Sequence, residues 1–214
     1  MVIAIDGPAG AGKSTVARAL AERLGATYLD SGAMYRCVAI AALRSGADLE
    51  DGTGLGRLAA DLEIALLNGH VWLDGEDVTE EIRSPEVSAA ASQVSVFPAV
   101  RKAMVERQRA MIASGHYVAE GRDIGTVVSP DAPLKVFLTA NDAERARRRA
   151  AETGEAQDAV LAAQATRDSR DRLREHGPLR SAVDAVEIDT TGMSVEAVVD
   201  RVVALARERG LAPE

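Results

Sequence analysis

The stretch Gly7-Pro8-Ala9-Gly10-Ala11-Gly12-Lys13-Ser14 decides how the rest of the chain is read. It matches G-x-x-x-x-G-K-[ST] in full, and each residue type has a physical reason. Glycines let the backbone wrap a phosphate closely, with its N–H groups pointing inward. A helix that starts where the loop ends adds the partial positive charge of its N-terminus. Lys13 then reaches the β- and γ-phosphates, and the Ser14 hydroxyl ligates Mg²⁺. The flanks agree. Val2–Ile5 reads as a buried strand, and Val16, Leu20 and Leu24 recur at four-residue spacing over Lys13–Leu24, with Gly25 as the stop. An ordinary Gly-rich turn lacks that strand–loop–helix setting. Gly7, Pro8, Ala9, Gly10, Ala11, Gly12, Lys13, Ser14 and Thr15 are therefore the expected ATP-binding loop.

Outward from the loop, short apolar runs alternate with amphipathic stretches. Thr27–Leu29, Tyr117–Ala119, Leu134–Leu138 and Ala185–Ile188 read as further buried strands. Gly32–Arg44 reads as a helix closed by Gly46, and Ser84-Pro85 supplies a cap and a first-turn proline for Pro85–Val96. Pro98–Ser114 ends at Gly115, Asn141-Asp142 opens an Arg-rich helix through Ala150, and Ser194 caps a last helix that stops at Gly210. This rhythm predicts an α/β fold, with the five strands in a central parallel sheet flanked by helices. One segment breaks it. Leu62–Leu66, Val71–Leu73 and Glu76–Thr79 are short and separated by Asn68-Gly69 and Asp74-Gly75, strong hairpin signals. A small antiparallel insert follows. Residues 50–84 hold nine acidic residues against two Arg, which a solvated face explains.

Composition narrows the function. The chain has 214 residues and a formal net charge of −8, with 33 acidic residues against 25 basic ones. That balance argues against a non-specific nucleic-acid coat and against a membrane-surface binder. No apolar stretch is long enough to span a bilayer. The single Cys37 and the absence of a secretory signal point to a reducing cytoplasm, with Cys37 as a small buried helix residue rather than a thiol nucleophile. The phosphate loop names a nucleoside triphosphate but not a reaction. GTPases also need an N-K-x-D segment, which does not occur; motor ATPases and helicases are usually longer. A small kinase leads.

Several further blocks make the chain resemble the bacterial cytidylate kinases of the nucleoside monophosphate kinase family. They are Ile5–Thr15, Leu29-Asp30-Ser31-Gly32-Ala33-Met34-Tyr35-Arg36, Gly75-Glu76-Asp77-Val78, Ala91-Ser92-Gln93-Val94, Glu120–Val128, Pro130-Asp131-Ala132-Pro133, and Arg167-Asp168 through Pro178-Leu179. They follow the family order over essentially the whole chain. The resemblance implies a P-loop kinase, with the β insert in a monophosphate-binding region at 31–114. It places the core at 1–30, 115–140 and 180–214, and a short lid at 141–179, all in one kinase unit of 1–214.

The same resemblance implies the site. Ser31, Arg36, Arg122 and Arg174 match ribose or phosphate contacts of CMP, Arg167 and Asp171 the pair that reads the sugar, and Ser92, Arg101 and Asp123 the cytosine readers. Cytosine offers an amino donor at N4 and acceptors at N3 and O2, so a carboxylate and a guanidinium suit it; uracil would face the carboxylate with a lone pair. Plainer readings stand beside these. Arg101 could be a solvated face residue of its helix, Asp123 could cap a turn, and Arg36 could pair with an acidic neighbour. Residues 144–180 hold nine Arg and seven acidic residues, so Arg is concentrated in the second half. Arg145 and Arg149, four apart on one helical face, are the expected lid clamps on the transferring phosphate, with Arg148 beside them and Arg147 read as solvated. Ala150–Thr166 is several residues shorter than the family pattern, so the resemblance implies a shortened lid.

The implied reaction is ATP plus CMP or dCMP giving ADP plus CDP or dCDP, with Mg²⁺ as cofactor. Lys13, Arg122, Arg145 and Arg149 would be the catalytic charges, Ser14 the Mg²⁺ ligand, and Asp30 a second Mg²⁺ contact through water. The partners are the two nucleotides, with no nucleic acid and no membrane, and a monomer suffices. The rivals are a small-molecule kinase of the same fold, acting on shikimate or gluconate, and a nucleotide-dependent RNA-binding module. With two Phe, three Tyr and one Trp, a base-stacking platform is missing.

Overall fold

The computed structural model describes residues 1–67 and 69–212. Its elements are β1 (Val2–Asp6), α1 (Lys13–Leu24), β2 (Thr27–Asp30), α2 (Ser31–Ser45), α3 (Gly52–Asp61), β3 (Ile64–Leu67), β4 (His70–Leu73) and β5 (Glu76–Asp77). There follow α4 (Pro85–Val94), α5 (Pro98–Ile112), β6 (Tyr117–Gly121), β7 (Leu134–Thr139), α6 (Asp142–Thr153), α7 (Gln157–Leu173), β8 (Val186–Asp189) and α8 (Val195–Glu208). The chain divides into two compact units, Met1–Leu29 with the chain from Ile112 onward, and Asp30–Met111.

The first unit is built on a five-stranded parallel sheet in the order β2-β6-β1-β7-β8. In β1, Ile3 lies opposite Val118 of β6 on one side and Leu134 of β7 on the other. Helices cover both faces of such a sheet, so its strands must be apolar on both sides. Accordingly β1 and β6 each run four consecutive buried residues. Ile3, Ile5, Leu20, Leu134, Leu138 and Val202 form the centre of this core. The exceptions sit at the carboxyl ends of the strands, where Asp6 and Glu120 are buried and ionisable. In open parallel sheets that edge is where ligands bind.

In the second unit α2 packs on α4. The antiparallel sheet β3-β4-β5 has Ile64 opposite Leu73 and Leu67 opposite His70. Its central strand alternates, with Val71 and Leu73 buried and His70 and Trp72 exposed, the pattern of a sheet wet on one side. Asn68, half of the expected Asn-Gly turn, lies outside the described residues. Asp74 and Gly75 have φ of 50° and 82°, the positive pair that a tight hairpin turn requires. Cys37 is fully buried, and burial pushes its thiol up to about 12, so it is inert packing.

Two helices escape the apolar-periodicity reading. Around α3 the run Gly52-Thr53-Gly54-Leu55-Gly56 carries no helical signal of its own, yet the Asp51 carboxylate accepts from the Thr53 and Gly54 amides and starts a helix. A Cβ on Gly56 would run into Ala99, so glycine here admits close helix packing. The buried positions of α7 are Val160, Gln164, Asp168 and Asp171. They keep helical spacing, but three of the four are polar, so the stripe carries no apolar signal.

Candidate active site

The phosphate loop joins β1 to α1, as the motif requires. Gly10 has φ of 76° and Gly12 of 86°, conformations that side chains with a Cβ rarely adopt. Lys13 is 6% exposed and its Nζ donates to the Pro8 carbonyl at 2.8 Å. Burial, reinforced by Arg122 and Arg167, pushes its ammonium down to about 7, against the opposing pull of Glu120 and Asp6. Ser14 and Thr15 are exposed on the first turn of α1. The Thr190 hydroxyl, after β8, donates to the Ala11 carbonyl at 3.2 Å.

A second group of charges lies where β6 ends. The Asp6 carboxylate accepts from the Ile124 and Gly125 amides at 2.9 and 2.7 Å and so ties the π-turn Ile124–Val128 to the end of β1. Burial pushes Asp6 up to about 6, even against those two donors. Arg122 Nε donates to Asp171 Oδ2 at 2.9 Å, and Arg174 stands 3.6 Å from Asp171 and 3.9 Å from Asp123. Burial pushes Asp171 up, but Arg122, Arg174 and Arg167 outweigh it and hold the carboxyl below its usual range. Asp123 is buried and makes no helix-cap bond, which removes the capping alternative for it. Of the expected monophosphate contacts, Arg122, Asp123, Asp171 and Arg174 thus form one cluster, with Arg167 half-buried beside it on α7.

The remaining expected contacts belong to the second unit. Ser31 is buried at the start of α2, with Arg36 half-buried one turn on. Asp30 caps that helix, its Oδ1 accepting from the Ala33 amide at 2.9 Å. Ser92 on α4 is buried. Arg101 on α5 is 4% exposed, so it is not a solvated face residue: its Nη1 donates to the Ser95 carbonyl at 3.4 Å and its guanidinium stacks on Tyr35 at 5.7 Å.

The arginines of α6 divide three ways. Arg145 is 4% exposed; its Nη1 donates to the Ala9 carbonyl at 2.8 Å, and it pairs with Asp142 and Asp168, each at 2.6 Å. Arg148 reaches the Thr190 carbonyl and hydroxyl at 2.7 and 2.9 Å. Arg149 pairs with the exposed Glu152 at 3.2 Å, and Arg147 pairs with Glu144 with its side chain 62% exposed, the solvated role expected for it. The structure therefore carries Arg145 to the loop and leaves Arg149 on the helix surface. Asp6, Glu120, Gln164, Asp168 and Thr190 are buried polar residues to which no motif assigned a role, although for Asp6 and Glu120 a polar residue closing an apolar strand is a usable signal.

Among the described residues no group of three or more His, Cys, Asp or Glu could hold a metal. Mg²⁺ keeps several waters and takes substrate phosphates as ligands, so it calls for few protein oxygens. The exposed Ser14 hydroxyl fits as its protein donor.

A sequence profile of the cytidylate kinase family matches residues 3–208. A cytidylate kinase of Pelotomaculum thermopropionicum is 55% identical over 212 residues, 94% of each chain. One of Geobacter sulfurreducens is 49% identical, over 98% of this chain and 94% of that one. Among solved structures, a gluconokinase of Sinorhizobium meliloti has a TM-score of 0.50 at 19% identity, over 98% of this chain and 93% of that one, a likeness of fold alone. An uncharacterised protein of Eubacterium ventriosum has a TM-score of 0.54 at 13% identity, over 96% and 97% of the two chains. With its phosphate loop, its Arg-Asp-x-x-Asp cluster and nearly its whole length matched, this chain belongs to the cytidylate kinase family.

Proposed function

We propose that this chain transfers the γ-phosphoryl group of ATP to CMP or dCMP, giving ADP and CDP or dCDP. The observation that carries the reading is a phosphate-loop lysine buried beside Arg122 and Arg167, in a chain that belongs to the cytidylate kinases. A phosphate oxygen of CMP, already anionic near neutral pH, attacks the γ-phosphorus of ATP, and the bond to the β-bridging oxygen breaks. No strong base is required, so catalysis is positioning and charge neutralisation. Lys13 and Arg122 supply positive charge to the transferring group. Arg149 reaches it by leaving Glu152, an exposed pair worth little. Arg145, held by Ala9 and Asp168, contributes through the loop. The Ser14 hydroxyl, and Asp30 through water, would hold Mg²⁺, which would supply charge neutralisation of the triphosphate.

The nucleoside monophosphate takes Ser31, Arg36, Arg122 and Arg174 on its ribose and phosphate, Arg167 and Asp171 on its sugar, and Ser92, Arg101 and Asp123 on cytosine. In this reading 31–114 is the monophosphate-binding region and 141–179 the lid. The enzyme acts on free nucleotides in the cytoplasm as a monomer, without nucleic acid or membrane. A net charge of −8 argues against non-specific binding to nucleic acid or an anionic membrane surface, and among the described residues no helix is long and apolar enough to cross a membrane. A coupled assay with ATP and Mg²⁺ across a panel of monophosphates tests the proposal. CMP and dCMP should turn over well above UMP, AMP and GMP; equal or better activity on AMP or UMP overturns the specificity.

A further inference from the structure

Asp168 and Gln164 lie one turn apart on the buried stripe of α7, and the transfer chemistry uses neither. Asp168 Oδ2 stands 2.6 Å from Arg145 Nη1, with both side chains 4% exposed. The same Nη1 donates to the Ala9 carbonyl at 2.8 Å, in the middle of the phosphate loop. Gln164 Nε2 donates to the Arg145 carbonyl at 3.3 Å, and it stands where a Cβ on Gly10 would lie only 2.7 Å away. So α7 meets the loop at two successive residues, Ala9 through Arg145 and Gly10 directly.

Stability alone does not call for such a pair, since a buried ion pair is often no better than an apolar replacement of similar size. Its target does. A trans peptide holds its C=O and its N–H on opposite sides, and the described peptides are all trans. Pinning the Ala9 carbonyl on Arg145 therefore turns the Gly10 N–H away from Arg145, and freezes a peptide that a glycine would otherwise let rotate. Inward amides are what the loop offers a phosphate.

We propose that Asp168 and Gln164 are positioning residues for ATP, setting the Ala9–Gly10 peptide through Arg145 so that the Gly10 N–H faces the triphosphate. This rests on the loop's being the ATP site. The test uses the full chain, titrating ATP by calorimetry and measuring KM for ATP and for CMP separately. Asp168→Asn weakens ATP binding and raises the ATP KM by about tenfold, with kcat at saturating ATP and the CMP KM within about twofold. Asp168→Glu restores part of the loss. In Arg145→Gln, adding Asp168→Asn causes little further loss, because the two act as one unit. An ATP Kd within about twofold of wild type for Asp168→Asn, or a CMP KM that rises as much as that for ATP, overturns the proposal. The second outcome matters because α7 also carries Arg167 and Asp171, so a merely distorted helix would harm both substrates. If Asp168→Asn fails to fold, Gln164→Leu decides: about threefold weaker ATP binding supports the proposal and unchanged binding overturns it. Calorimetry needs no turnover of CMP. A wild type that binds ATP but ignores CMP therefore sinks the kinase reading alone, and one that binds no ATP sinks both.

Discussion

Arg44 of the second unit and Arg122 of the first both grip carboxylates, and Arg44 does so with the fuller geometry. It holds Glu76 with two nitrogens, at 2.8 and 2.9 Å, and reaches both oxygens of Glu81 as well. Arg122 makes one such bond, to Asp171 at 2.9 Å. The difference is solvent. The Arg44 side chain is 41% exposed and Glu76 61%, against 16% for Arg122 and 6% for Asp171. Water screens the first set and leaves it worth little. Around Arg122 the charges are held out of water at a desolvation cost, which a fold tolerates where the charge has work to do. A dense ion-pair network is thus not by itself a sign of a site; a buried one beside a phosphate loop is.

The largest expected effect tests the functional side of that contrast. Arg122→Ala lowers kcat/KM for CMP by at least about tenfold, the scale of one charge-assisted contact. Asp171 keeps Arg174 as a partner, so the variant remains folded for steady-state assay. Unchanged kinetics would remove Arg122 from the site and erase the contrast.

A smaller effect comes from pH. Lys13 is pushed down to about 7 from an ordinary 10.5, and the phosphate needs its ammonium form. ATP affinity therefore falls about fivefold between pH 7 and 8, with proton uptake on binding. The sign for the free protein is opposite. Between about 7 and 10.5 the unfolded chain holds more protons at Lys13, so this group makes folding stability rise with pH. Titrations at pH 8 in buffers of different ionisation enthalpy read the uptake. Heats independent of the buffer would mean that the free loop already carries a charged lysine.

The smallest effect is a near absence. Arg44→Ala leaves the kinetics unchanged and lowers the melting temperature by no more than about 2 °C, less in high salt. A large loss would show that exposed geometry counts for more than burial.

How far the sequence could be read follows the same division between local and tertiary causes. The strand–loop–helix around Gly7–Ser14, the five parallel strands, Cys37 as packing and the antiparallel insert were legible because each follows from local spacing. These are continuous apolar runs, four-residue periodicity, Ser84, Asn141 and Ser194 as caps, and paired turn residues. The helix α7 was not legible, because its buried face is Gln164, Asp168 and Asp171, and polar burial looks like surface until the partners are known. The same holds for Arg101, where a solvated face and a buried stack on Tyr35 give one sequence pattern. Along α6, four-residue spacing put Arg145 and Arg149 on one face, but only folding sent the first to the Ala9 carbonyl and left the second with Glu152.

By itself, then, the sequence determined the phosphate loop, the order of the strands and of the helices other than α3 and α7, and the family, because those rest on contiguous residues and hydrophobic period. Only the tertiary structure decided which arginines are buried and what each one holds. An arginine's role is set by the dielectric and the partner that the fold brings to it, and neither is written in its neighbours along the chain.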